Sequence, residues 1–114
     1  MDLSWADEAI ETLQRGAYTR IQAHGQSMTG KVNDGDMVTL ERCDPRKLVI
    51  GDIVLVKVKG SVSLNLIKAI NKDRFQIGNN IGGVKGWVSA DAIYGKATRV
   101  KAPPIPQPPG KPKP

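Results

Sequence analysis

One serine in the chain stands in a setting that is typical of a nucleophile. Ser27 lies between Gly25 and Gly30 in the segment His24–Asp36, and a strand-like run, Met37–Leu40, follows it. Glycines allow a tight turn. A turn placed directly before a strand presents a hydroxyl at the edge of a sheet. Because a serine hydroxyl is a weak nucleophile until a base takes its proton, activity depends on which side chain faces Ser27.

The elements that must position Ser27 are mostly strands. A helix is predicted over Asp2–Arg15 from its apolar spacing, and Gly16 ends it. Short strands separated by glycine turns indicate an all-β sandwich, barrel or curled sheet. The strands are predicted over 17–23, 37–41, 53–58, 61–70, 74–77, 87–89 and 93–100. Residues 1–16 thus form an N-terminal helix, 17–101 a β domain, and 102–114 a Pro/Lys-rich tail that is predicted to be disordered.

Composition excludes several function classes. The formal charge of +6 includes Lys101, Lys111 and Lys113, at or within the tail, so the folded body is only mildly basic. No Lys/Arg cluster with interleaved aromatic residues appears along the chain, which argues against nucleic acid as a partner. Cys43 stands alone, so neither an intrachain disulfide nor a Cys-based metal site is expected, and no cofactor is predicted.

The chain also lacks the pattern of a membrane protein. No apolar run approaches the roughly 18 residues that would span a bilayer. The N-terminus is acidic and amphipathic, unlike a signal peptide. We therefore expect a cytoplasmic protein that makes no membrane contact.

Three motifs occur in an order that resembles a known family. They are Gly25-Gln26-Ser27-Met28 with Asp34-Gly35-Asp36, then Gly51-Asp52-Ile53-Val54, then Gly78-Asn79-Asn80. From Tyr18 to Val100 the chain resembles the LexA-like and signal-peptidase-like serine peptidase superfamily. The resemblance implies a curled, mostly β domain of the LexA C-terminal type and the ability to form a homodimer.

The same resemblance implies roles for individual residues. Ser27 would be the nucleophile, and its backbone N–H would contribute to an oxyanion hole. Gly25, Met28 and the Gly78-Asn79-Asn80 run would line the binding site. A lysine general base is expected on the strand 61–70, and it must be desolvated so that its pKa falls and it is neutral.

The position of that base departs from the family pattern. When the lysine-containing run of the family is aligned without a gap on Val62–Ile67, its lysine falls on Asn65. An asparagine amide hydrogen-bonds a serine but takes up no proton near neutral pH. Lys68 reaches the position only if a β-bulge reverses the alternation of faces. His24 lies three residues before Ser27, which on an extended chain is too far for a direct hydrogen bond, and we expect it on the surface.

Three functional hypotheses follow. The first is a non-catalytic domain, with Ser27 kept and Asn65 in place of the base, that binds a peptide or protein partner. The second is an active Ser27–Lys68 peptidase that cleaves itself or a partner. The third is a small β adaptor that acts through its Pro-rich tail.

Overall fold

The computed structural model describes residues 4–103, which form one helix and one seven-stranded antiparallel sheet. The elements are α1 (Ser4–Gln14), β1 (Thr19–Gln22), β2 (Met37–Glu41), β3 (Ile53–Val58), β4 (Ser61–Asn71), β5 (Arg74–Gly78), β6 (Val84–Ser89) and β7 (Ile93–Lys101). The strand order is β1-β2-β7-β3-β4-β5-β6, and the sheet curls into a half-barrel. The mostly β fold class predicted from the sequence is confirmed.

Local sequence accounts for most element boundaries. β3 alternates as predicted, and the turn after it places Lys59 and Gly60 at positive φ, where glycine is favoured. The strand β6 is longer than predicted, because Val84–Gly86 also pairs with β5 through a register shift at Ile77/Gly78. The predicted tail from residue 104 onward lies outside the described residues.

The curled sheet carries an apolar cluster on each face. The first cluster joins α1, the segment before β2 and the inner face of the sheet; its buried members are Ala9, Leu13, Met28, Val32, Val38, Leu40, Leu55 and Leu66. The second covers the other face of β3, β4 and β5; its buried members are Leu48, Val54, Val56, Val58, Ile67, Phe75, Ile77 and Ile93. Together the clusters make β3 and β4 the central strands of the core.

The helix α1 approaches the sheet closely at one glycine. A Cβ atom at Gly95 would lie 3.0 Å from Leu13 Cδ1 and 2.9 Å from the Glu41 carbonyl oxygen. Leu13 is fully buried there. The absence of a side chain at Gly95 therefore lets α1 close one end of the half-barrel.

Within residues 4–103, some strand edges have no neighbouring strand in this sheet. β1 and β6 are its terminal strands, and β1 pairs with β2 only. β4 pairs with β3 over Ser61–Leu66, but with β5 only from Leu66 onward. The first half of β4 therefore has a free edge on the side where β5 would continue.

The helix α1 has 11 residues. Within residues 4–103, no helix has the length and apolar character needed to cross a membrane.

The docking of α1 generates a stability prediction. Leu13→Ala should lower the free energy of unfolding by about 2–5 kcal/mol, because it removes buried methyl groups and leaves a cavity against Gly95. The exposed neighbour provides a control, since Gln14→Ala should change stability by less than about 0.5 kcal/mol. Urea denaturation of both variants measures the difference. An equal effect of the two substitutions would show that α1 does not pack as described.

Candidate functional site

Ser27 occupies the corner of a tight turn whose next residue is anchored in the core. The turn Gln26–Thr29 is closed by the Thr29 N–H and hydroxyl, which donate to the Gln26 carbonyl at 3.2 and 2.6 Å. Met28 is 5% exposed and belongs to the first apolar cluster, whereas Ser27 is exposed. Burial of Met28 thus fixes the turn and leaves the Ser27 side chain on the surface.

Carboxylates close the loop that carries this turn. The Gly25 N–H donates to Asp34 Oδ1 at 2.8 Å, and the Asn33 N–H donates to Asp36 Oδ2 at 2.9 Å. Ala23 adds two backbone hydrogen bonds to the other side of the loop. Gly25 has φ 97°, which is unfavourable for other residues. Gly25, predicted to line a binding site, therefore shapes the loop, and its N–H is already used.

A cleft of about 620 Å³ opens beside Ser27. Its walls come from α1, β1, the Ser27 turn and the start of β4. The lining residues are Trp5, Glu8, Ala9, Thr12, Thr19 to Gly25, Ser27, Met28, Val32, Ser63 and Leu64. His24 is exposed on this wall, as expected from the sequence. The cleft thus lies beside the edge strand β1 and the unpaired half of β4.

Asn65, at the predicted base position, is completely buried. Its Nδ2 donates to Ser63 Oγ at 2.8 Å, and Ser63 lines the cleft together with Ser27. Its Oδ1 accepts no hydrogen bond from the described residues 4–103. Asn65 stands opposite Val54 of the second cluster, so strand alternation places it on the face opposite to Leu66 and Met28. A buried amide thus stands at the position predicted for the base, bonded to Ser63 of the cleft but on the sheet face opposite to Met28.

Lys68 lies on the β-bulge that its predicted role required. The register of β4 against β5 passes from Ile67↔Ile77 to Ala69↔Gln76, which leaves Lys68 as the extra residue. Its Nζ donates to the Asn79 carbonyl at 3.0 Å. Within residues 4–103, no hydrogen bond joins the Ser27 hydroxyl to Lys68, Asn65 or His24. The amine of Lys68 is thus directed to the backbone of the β5–β6 loop.

The two asparagines predicted to line the site organise this loop. Asn79 Oδ1 accepts the N–H groups of Ile81 and Gly83 at 3.1 and 2.8 Å. A Cβ at Gly78 would lie 2.3 Å from the Gly83 carbonyl oxygen, so only glycine fits at Gly78. Asn79 and Gly78 therefore set the path of the chain between β5 and β6.

Asn80 connects this loop to the Ser27 turn. Its N–H donates to the Ser27 carbonyl at 2.9 Å, and its Nδ2 donates to the Thr29 carbonyl at 2.7 Å. Since Lys68 bonds Asn79, a continuous path runs from Lys68 through Asn79 and Asn80 to Ser27. The fold thus brings together predicted site residues that are distant in the sequence. The hydrogen bonds that connect them end on backbone carbonyl groups and do not involve the Ser27 hydroxyl.

Sequence reasoning missed the contribution of α1 and Ser63 to the site. Trp5 and Glu8 of α1 line the cleft. Ser63 lies two residues before Asn65 and therefore on the same face of β4, which is the signal that could have found it. No local pattern indicates that α1 faces Ser27, because that contact depends on how the helix docks.

The titrating groups that are perturbed lie away from the cleft. Burial raises the pKa of the Cys43 thiol, and the nearby Lys96 ammonium opposes this effect. Hydrogen bonds from Arg46 hold the pKa of the Asp44 carboxyl below its usual value. In the described part of the chain, no group of three His, Cys, Asp or Glu side chains is arranged to hold a metal ion. None of these features adds chemistry to the Ser27 site.

The unpaired oxygen of Asn65 generates a prediction about stability. Asn65→Leu should leave the free energy of unfolding unchanged or raise it, because the desolvation of an unsatisfied buried acceptor costs about 1–3 kcal/mol. Thermal and urea denaturation measure the change. Asn71→Leu, at the exposed end of the same strand, is the matched control and should stay within about 0.5 kcal/mol. A loss of more than about 2 kcal/mol in Asn65→Leu would show that the amide serves stability through its bond to Ser63.

The sequence matches no protein-family model, and no curated protein matches it significantly. The resemblance to LexA-like and signal-peptidase-like peptidases therefore remains a prediction, which rests on the motifs around Ser27, Asp52 and Asn79.

Proposed function

We propose that this chain is a non-catalytic domain of the LexA/signal-peptidase type that binds an extended peptide segment of a partner protein. The observation that carries the proposal is the complete burial of the Asn65 amide, at the position where the resemblance implies a lysine base. An amide donates and accepts hydrogen bonds but takes no proton from a serine near neutral pH. Ser27 then serves as part of a binding surface.

The edges of two strands support a peptide as the ligand. The cleft is bordered by β1, which ends the sheet, and by Ser63 and Leu64, on the half of β4 that lacks a second partner. Such edges expose N–H and C=O groups that pair with an added strand. The volume of about 620 Å³ is in the range of binding pockets for small ligands or a few side chains.

The walls of the cleft also suit a peptide with alternating side chains. Trp5, Met28 and Leu64 provide apolar surface, while Glu8 and Ser27 provide polar groups. Main-chain hydrogen bonds would supply affinity, and pockets for alternate side chains would supply specificity. Trp5 is 42% exposed, so a ligand could bury much of its ring.

One observation favours the peptidase alternative. The bulge at Lys68 removes the geometric objection that strand alternation raised against this residue as a base. Against it, the Lys68 amine donates to Asn79 and not to Ser27. A hydroxyl without a base in hydrogen-bond reach is poorly nucleophilic. The adaptor hypothesis concerns the tail, which lies outside the described residues from 104 onward.

Labelling with a fluorophosphonate probe distinguishes the two hypotheses. At pH 7 to 10 the wild type should label no more than Ser27→Ala, because no base activates the hydroxyl. Asn65→Lys should introduce labelling at Ser27, provided that circular dichroism shows it folded. Mass spectrometry of the labelled peptide identifies the modified residue.

The opposite outcome is equally specific. Labelling of the wild-type Ser27 that disappears in Lys68→Ala would establish an active Ser27–Lys68 pair. Lys72→Ala, at an exposed turn of the same hairpin, is the control for loss of a positive charge. That result would replace the binding proposal with the peptidase alternative.

Peptide binding itself generates a fluorescence prediction. In a Trp87→Phe background, Trp5 is the only tryptophan, and it lines the cleft. Peptides selected from a random phage-displayed library on the wild type should shift the Trp5 emission to shorter wavelength, because binding removes the ring from water. Leu64→Glu, which places a charge in the cleft, should weaken binding at least tenfold.

A control separates a cleft effect from a general charge effect. Lys85→Glu lies on β6, at the other end of the sheet, and makes a larger charge change in the same direction. It should leave the peptide affinity within about twofold. Selected peptides that bind Leu64→Glu as tightly as the wild type would show that the ligand lies elsewhere.

A further inference from the structure

A second groove lies on the outer face of the same sheet edge. It has a volume of about 840 Å³ and runs across β1, β2 and β7. Its lining residues are Tyr18, Arg20, Met37, Thr39, Glu41, Thr98, Arg99, Lys101 and Ala102. On β2 the intervening residues, Val38 and Leu40, are fully buried in the first cluster, so this groove and the first cluster are on opposite faces.

Three cations are aligned in this groove by strand register. Arg20 pairs with Thr39, and Thr39 pairs with Arg99, so the two arginines stand in one row across three strands. Their Cα atoms are about 10 Å apart, since each strand spacing is about 4.8 Å. Lys101 follows Arg99 on the same face of β7, about 7 Å along the strand. The result is a compact positive surface.

An exposed aromatic ring adjoins these cations. Tyr18 is 59% exposed, and the Arg20 guanidinium lies 5.9 Å from the centre of its ring. This distance is within the range of a cation–π contact. An aromatic ring left in water beside arginines is a surface on which a nucleic-acid base can stack.

The remaining groups define where an anion would lie. Thr39, between the two arginines, contributes a hydroxyl that can donate to a phosphate oxygen. Glu41 is the acidic residue in the lining, and its Oε2 accepts a hydrogen bond from Thr98 Oγ1 at 3.0 Å. It pairs near the start of β7, whereas Lys101 is at the end. The positive end of the groove is therefore the end formed by Arg20, Arg99 and Lys101.

We propose that this groove binds single-stranded nucleic acid, with phosphates on the three cations and a base on Tyr18. An acidic peptide would use the cations but has no need of the exposed ring. The Cα atoms of the cations lie within about 12 Å of one another, which suits one backbone and not the two of a duplex. The chain continues beyond Lys101 with Lys111 and Lys113, which add positive charge in sequence. The proposal does not rest on the peptide cleft, although Arg20 lines both surfaces.

Salt dependence tests the proposal quantitatively. Binding of the full chain to a fluorescent oligothymidylate of about twelve nucleotides is measured by fluorescence anisotropy at salt concentrations from about 25 to about 200 mM. Each phosphate contact adds about −0.7 to the slope of log K against log salt for single strands. Arg99→Ala and Arg20→Ala should each reduce the slope by about 0.7 in magnitude.

The aromatic ring has a different signature. Tyr18→Ala should weaken binding by about fivefold or more without changing the salt slope, because stacking releases no counterions. Lys85→Ala, an exposed cation on β6 at the far end of the sheet, should change neither quantity. Circular dichroism of each variant verifies that the fold is intact.

Three results would overturn the proposal. The first is an unchanged slope in Arg99→Ala together with loss of binding in a Lys111→Ala/Lys113→Ala double variant, which would assign binding to the tail. The second is competition by a poly-glutamate peptide as strong as that of the oligonucleotide. The third is binding of a duplex of the same length at least as tight as that of the single strand.

Discussion

Burial of Met28 is the interaction on which the functional surface depends. Met28 shares one apolar cluster with Leu13 of α1 and Leu66 of β4, so a single region of the core holds three walls of the cleft. Removing these side chains from water supplies the driving force, at about 25 cal/mol per Å² of apolar surface. Ser27, next to Met28, is exposed because its neighbour is anchored. The hydrogen bonds from Asn80 to the Ser27 turn orient the turn, whose position is already fixed by the burial of Met28.

The polar residues around this cluster form hydrogen bonds that hold the fold and leave the Ser27 hydroxyl without a partner among the described residues. Asn79 forms its hydrogen bonds within the β5–β6 loop, and Asn80 bonds the Ser27 turn. Both residues therefore help to position Ser27. Among the described residues, Asn65 has an unpaired buried oxygen, an arrangement that opposes stability. The turn that presents Ser27 is thus maintained by packing, which does not depend on a neighbouring base.

β1 is the element shared by the two proposed binding surfaces. Its free edge borders the cleft, and Arg20, on its outer face, lines the groove. Arg20 of this four-residue strand lines both surfaces. Glu8 lines the cleft, whereas Arg99 and Lys101 line the groove, so the groove carries more positive charge than the cleft. The two surfaces would therefore recognise ligands of different chemistry.

The sequence alone determined the strand pattern, the turn at Ser27 and the amide at position 65, because alternation, glycine turns and residue identity are local properties. β3 and β2 have the predicted bounds for this reason. Only the tertiary structure decided that α1 lines the cleft, that Lys68 lies on a bulge and bonds Asn79, and that Arg20 and Arg99 stand in one row. These features depend on register and docking, which arise from the summed burial of residues distant in sequence. The Lys/Arg cluster that is absent along the chain is assembled in space by the pairing of β1, β2 and β7.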